Sequence, residues 1–91
     1  MSKIKLYDFY TEYCSPCKQL SPIIDILKKE FEGNENVKII KVNVDVEPDL
    51  SSQYNIRSVP TLIYLKDGEI VHRSMGLVNK QTILNKINEL V

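Results

Sequence analysis

The chain has 91 residues, with twelve Lys and Arg balanced by twelve Asp and Glu and 43% apolar side chains, enough for one small core and no second. Its 26% charged residues, three Gly and four Pro exclude a disordered tail or a collagen-like repeat. Zero formal net charge, with no basic run longer than Lys28-Lys29, argues against a nucleic-acid partner, and no stretch approaches the ~18 apolar residues of a membrane span.

Taken in chain order, Lys3 to Tyr10 is rich in aromatic and branched residues and stops at Thr11-Glu12, which predicts a strand. Tyr13-Cys14-Ser15-Pro16-Cys17 follows. Pro16 suits the first turn of a helix, and Leu20, Ile23, Ile24, Leu27 and Phe31 then recur on one helical face, so a helix is expected from about 16 to 32, kinked at Pro22. Val37 to Val44 is dense in β-branched residues and reads as a second strand, parallel to the first because a helix joins them. Glu47-Pro48-Asp49 opens a short helix reaching about Tyr54, and Val59-Pro60 breaks the chain before a strand from Thr61 to Lys66. Asp67-Gly68 is a hairpin turn, Glu69 to Met75 the returning strand and Gly76 its end. Asn79 caps a last helix with Ile83, Leu84, Ile87, Leu90 and Val91 on its apolar face. The order β-α-β-α-β-β-α predicts an α/β fold: a single domain over residues 1–91, with a mixed sheet of about four strands and helices on both faces.

The two cysteines carry the chemistry. Asp8 and Glu12 interrupt the chain before a secretory apolar segment could accumulate, which places the protein in the cytoplasm, where a thiol pair is suited to redox, catalytic or metal-binding work. In Cys14-Ser15-Pro16-Cys17 the first cysteine falls at the helix tip and the second in its first turn. Unpaired amides and the positive end of the helix dipole favour the thiolate there, so Cys14 is the candidate attacker of a disulfide and Cys17 the thiol that resolves the mixed disulfide. A structural staple is the weaker reading, because closing a ring of about four residues contributes only about 2 kcal/mol. Zinc needs four ligands, and the chain offers one Cys pair and one histidine, His72, in a strand where a solvent-facing role suffices; shared cysteines from two protomers would be required.

Asp8 lies in a strand expected to be central, where an ionised carboxylate is costly and its pKa should rise. A raised carboxylate behind the dithiol can accept the proton of Cys17, and Lys41 on the neighbouring strand can modulate it. The bland alternatives are an exposed or paired Asp8 and a plain surface Lys41.

Tyr7-Asp8-Phe9-Tyr10-Thr11-Glu12-Tyr13-Cys14-Ser15-Pro16-Cys17-Lys18, with Tyr54-Asn55-Ile56-Arg57-Ser58-Val59-Pro60-Thr61 and Lys66-Asp67-Gly68-Glu69, resembles the thioredoxin family over nearly the whole chain. The family's usual N-terminal strand and helix have no counterpart, so the resemblance is to a shortened thioredoxin or a small thioredoxin/glutaredoxin-like protein on the minimal fold. It implies catalytic roles for Cys14, Cys17, Asp8 and Lys41, a cis peptide at Pro60, and a substrate-docking surface framed by Tyr13, Val59, Pro60 and Gly76, where the Val59 backbone pairs with an extended target and glycine permits close approach. Ser15 stands where the family has glycine, and Tyr13 where it has tryptophan. The expected function is reduction of protein disulfides by a monomer with no bound cofactor or metal, recharged by a thioredoxin-reductase-like flavoenzyme. A glutathione-coupled glutaredoxin-like enzyme and a non-catalytic binding module using the same groove are the alternatives.

Overall fold

Along β1 (Ile4–Tyr10) successive side chains leave on opposite faces, so Ile4, Leu6 and Asp8 go one way and Lys5, Tyr7 and Phe9 the other. This alternation organises the computed structural model, which describes residues 3–91. The elements follow the predicted order: β1, α1 (Ser15–Glu30), β2 (Val37–Asn43), α2 (Pro48–Gln53), β3 (Thr61–Lys66), β4 (Glu69–Met75) and α3 (Lys80–Leu90). They build one mixed sheet in the order β2-β1-β3-β4, with β1 parallel to β2 and antiparallel to β3. The strand that leads into the cysteines is thus held from both sides.

On one face α1 and α3 press Leu20, Ile24, Leu27, Ile83 and Ile87 onto Ile4, Leu6, Val37, Ile39, Leu62 and Tyr64. At roughly 1.5–3 kcal/mol for each fully buried large apolar side chain, this layer supplies most of the driving force for folding. The other face is thinner. There Phe9, Val42, Ile63 and Leu65 are covered by Leu50, Tyr54 and Ile56 from α2 and the segment after it.

Element ends show local chemistry at work. Helix α1 begins at Ser15 and closes at Glu30, slightly short of the expected end, with the Phe31 amide donating to the Leu27 carbonyl. It continues as one helix through Pro22, which is exposed, so water can serve the Lys18 carbonyl that the proline cannot. The hairpin turn has positive φ at both central residues, 52° at Asp67 and 89° at Gly68, the combination of a type I′ turn that matches strand twist. Asn79 caps α3 by accepting from the Thr82 amide at 2.8 Å. His72 departs from expectation: its ring is half-buried and lies 5.3 Å from that of Tyr64, its register partner, rather than facing solvent.

Candidate active site

Cys14 is the N-cap of α1, with extended backbone (φ −109°, ψ 113°), and its sulfur accepts from the Cys17 amide at 3.2 Å. Pro16, in the same first turn, removes an amide that would have had no partner. Cys14 and Cys17 are joined as a disulfide with their Cα atoms 5.2 Å apart. The two sulfurs are not equivalent: Cys17 is only 4% exposed, whereas Cys14 is half-buried. Cys14 is the more accessible residue of the pair.

Opposite the dithiol, the Val59–Pro60 bond is cis, and the Val59 carbonyl oxygen lies 3.6 Å from Cys14 Sγ. The Gly76 amide donates to the Pro60 carbonyl at 2.9 Å, tying the end of β4 to this turn. Gly76 has φ 91°, but beyond its two neighbours in the chain nothing lies within 4 Å of where its Cβ would stand. Backbone conformation, not crowding within the chain, is therefore what calls for glycine here. Tyr13, which precedes Cys14 in the chain, is 92% exposed, and Met75 and Leu77, on either side of Gly76, are exposed as well.

Asp8 is 2% exposed, and its Oδ1 has no hydrogen-bond partner. Burial pushes its pKa up to about 6; Lys41 opposes the rise and Asp25 adds to it. Asp8 and Lys41 are register partners on adjacent parallel strands, as a modulating role would require. The ammonium nevertheless goes to α1, donating to Ser21 Oγ at 2.6 Å and Asp25 Oδ1 at 3.1 Å, with the Tyr10 ring 5.6 Å away. Sequence reasoning did not single out Ser21 or Asp25. The signal was present, since Cys17, Ser21 and Asp25 recur every fourth residue and so run as one stripe along α1. A cleft of about 380 Å³ lined by Tyr10, Thr11, Glu12, Cys17, Lys18 and Ser21 opens the flank of Cys17 to solvent. A larger cavity, about 480 Å³, lies between Lys5, Tyr7, Lys38 and Tyr54 and touches neither cysteine. Chemistry, rather than cavity size, locates the site.

Residues 1–89 match the family model described as Thioredoxin. The thioredoxin of Rickettsia felis is 44% identical over 86 residues, covering 94% of this chain and 80% of the relative. Thioredoxin 1 of Synechococcus elongatus is 39% identical over 84 residues, covering 92% and 77%. A mutant thioredoxin from Halobacterium salinarum superposes with a TM-score of 0.84 at 32% identity, covering 97% of this chain and 74% of that one. A helix-capping Cys pair opposite a cis-proline turn, a mixed four-stranded sheet and these likenesses lead to one conclusion: the chain belongs to the thioredoxin family and is a thiol-disulfide oxidoreductase acting on proteins.

Proposed function

We propose that the chain is a single-domain, monomeric, cytoplasmic reductant of protein disulfides, with Cys14 as nucleophile, Cys17 as resolving thiol, Asp8 as proton acceptor and Lys41 as modulator of Asp8. The observation that carries the division of labour is the unequal exposure of the two cysteines at the start of α1. The Cys14 thiolate attacks one sulfur of a target disulfide, forming a mixed disulfide and releasing the other target sulfur as thiolate. Cys17 then passes its proton to Asp8, and its thiolate attacks Cys14 Sγ. That closes the Cys14–Cys17 disulfide, releases the second target thiolate and leaves the target reduced by two electrons. Both released thiolates take protons from solvent or from Asp8.

Docking of an extended target against Tyr13, Val59, Pro60 and Gly76 is supported by the exposed side chains of Tyr13, Met75 and Leu77 and by the Val59 carbonyl beside Cys14 Sγ. A thioredoxin-reductase-like flavoenzyme is the electron donor that membership of the family supports. The glutathione-coupled alternative is not favoured by relatives such as the thioredoxins of Rickettsia felis and Synechococcus elongatus. A Cα radius of gyration of 12.3 Å, near the about 12 Å expected of one domain this long, supports the single-domain reading. Among the described residues no helix is long and apolar enough to cross a membrane.

Redox titration of the Cys14–Cys17 couple, paired with turnover of a protein disulfide by the Cys14→Ser variant, tests the proposal. A potential near or below about −250 mV and complete loss of turnover are expected; each ~30 mV is a tenfold change in the equilibrium. Full turnover by Cys14→Ser would end this reading.

A further inference from the structure

We propose that Ser21 and Asp25 are positioning residues: together they clamp the Lys41 ammonium against α1 and so keep it from pairing with Asp8. The inference rests on the reading of Asp8 as proton acceptor for Cys17. Its geometric basis is the mismatch between where Lys41 starts and where it ends. Its Cα is the register partner of Asp8, yet its Nζ reaches Ser21 Oγ and Asp25 Oδ1, while Asp8 Oδ1 is left with no partner at all. An ammonium beside an unpartnered buried carboxylate would ordinarily pair with it, because the attraction is strong where water is excluded.

The charges that act on Asp8 are Lys41, its register partner on β2, and Asp25 on α1, where Cys17 and Ser21 lie on the same stripe; β1 itself carries Tyr10 two residues on, and β3 places uncharged Leu62 in register. Of the charges, Lys41 lowers the proton affinity of Asp8 and Asp25 raises it. Asp25 therefore acts in two ways, by its own negative charge and by drawing Lys41 away. Ser21 carries no charge of its own, and its Oγ accepts from the Lys41 ammonium. A carboxyl left to titrate near neutrality can both take the proton of Cys17 and return it. One paired with an ammonium would stay ionised and be a weaker base.

The neutrality of Ser21 makes the test clean. Carboxyl carbon shifts of Asp8 are followed by NMR against pH in the oxidised protein, where neither cysteine titrates, for the wild type, Ser21→Ala, Ser21→Ala/Asp25→Asn, Lys41→Met and Ser21→Ala/Lys41→Met. Freed from the clamp, Lys41 should turn to Asp8. Ser21→Ala is then expected to lower the proton affinity of Asp8 at least about threefold and the Ser21→Ala/Asp25→Asn pair about tenfold or more. In the Lys41→Met background, Ser21→Ala should change nothing. An unmoved or raised midpoint in Ser21→Ala, or the same fall with Lys41 absent, overturns the clamp.

The pH profile of turnover separates this proposal from the one beneath it. If Ser21→Ala moves the Asp8 midpoint while Asp8→Asn leaves the profile of turnover unchanged, the clamp stands and the proton-acceptor role falls. If Asp8→Asn abolishes the profile while Ser21→Ala leaves the midpoint in place, the acceptor stands and the clamp falls.

Discussion

The two faces of the central strand do different work with adjacent residues. Phe9 points to the α2 face, where it is fully buried against Val42, Ile63, Leu65 and the tilted ring of Tyr54, its centroid 5.9 Å away. Asp8 points the other way and interrupts an otherwise apolar layer of Ile4, Leu6, Leu62 and Tyr64 with a carboxyl that has no partner for Oδ1. One residue lowers the free energy of the fold and its neighbour raises it. The lesson is that burial by itself does not report a stabilising role: the same low exposure marks a packing residue at 9 and a costly, chemically useful one at 8.

Truncation at the two positions should break the contrast most sharply. Phe9→Ala is expected to destabilise the protein by about 3–5 kcal/mol in a urea titration, through lost transfer free energy and the cavity left behind. Asp8→Asn should move the other way. The folded pKa of Asp8 lies near 6 against 3.8 for the unperturbed group, so the folded state holds the proton more tightly. Its favourable contribution is complete below about pH 4 and disappears as pH rises through about 6. Above that, the buried charge costs up to about 3 kcal/mol, which Asp8→Asn should recover at pH 7.5 while flattening the pH dependence of stability between about 4 and 6. An unchanged pH dependence in Asp8→Asn would remove the basis for the contrast.

Smaller effects sharpen it at the docking surface. Gly76→Ala places a Cβ on a left-handed backbone and should cost about 1–2 kcal/mol, measured by thermal unfolding, although no neighbour obstructs the methyl. Tyr13→Ala, at a side chain almost wholly in solvent, should leave stability within about 0.5 kcal/mol and raise KM for a protein disulfide severalfold without altering reduction of a small disulfide. Equal losses on both substrates would mean that Tyr13 serves the cysteines rather than the target.

Much of the fold is legible in the sequence. The β-branched runs, the helical recurrences of Leu20, Ile24 and Leu27 and of Ile83 and Ile87 after Asn79, the Glu47-Pro48-Asp49 helix start and Asp67-Gly68 together identify the elements, because periodicity and turn chemistry are properties of neighbouring residues. The position of the dithiol was legible for the same reason, as a strand running into a proline-started helix. The expectation that His72 faces solvent fails in part, since its half-burial depends on Tyr64 standing across the hairpin.

Local pattern thus specified the elements, their order and the two reactive sulfurs. Pairing across the sheet and packing of α1 onto it specified the rest: how deeply Asp8 is buried, that Lys41 stands beside it, that Ser21 and Asp25 take its ammonium, and that Val59 faces Cys14 from 45 residues away. A pKa, an ion pair or a docking groove is a sum over neighbours in space. Sequence neighbours supply only a few of the terms.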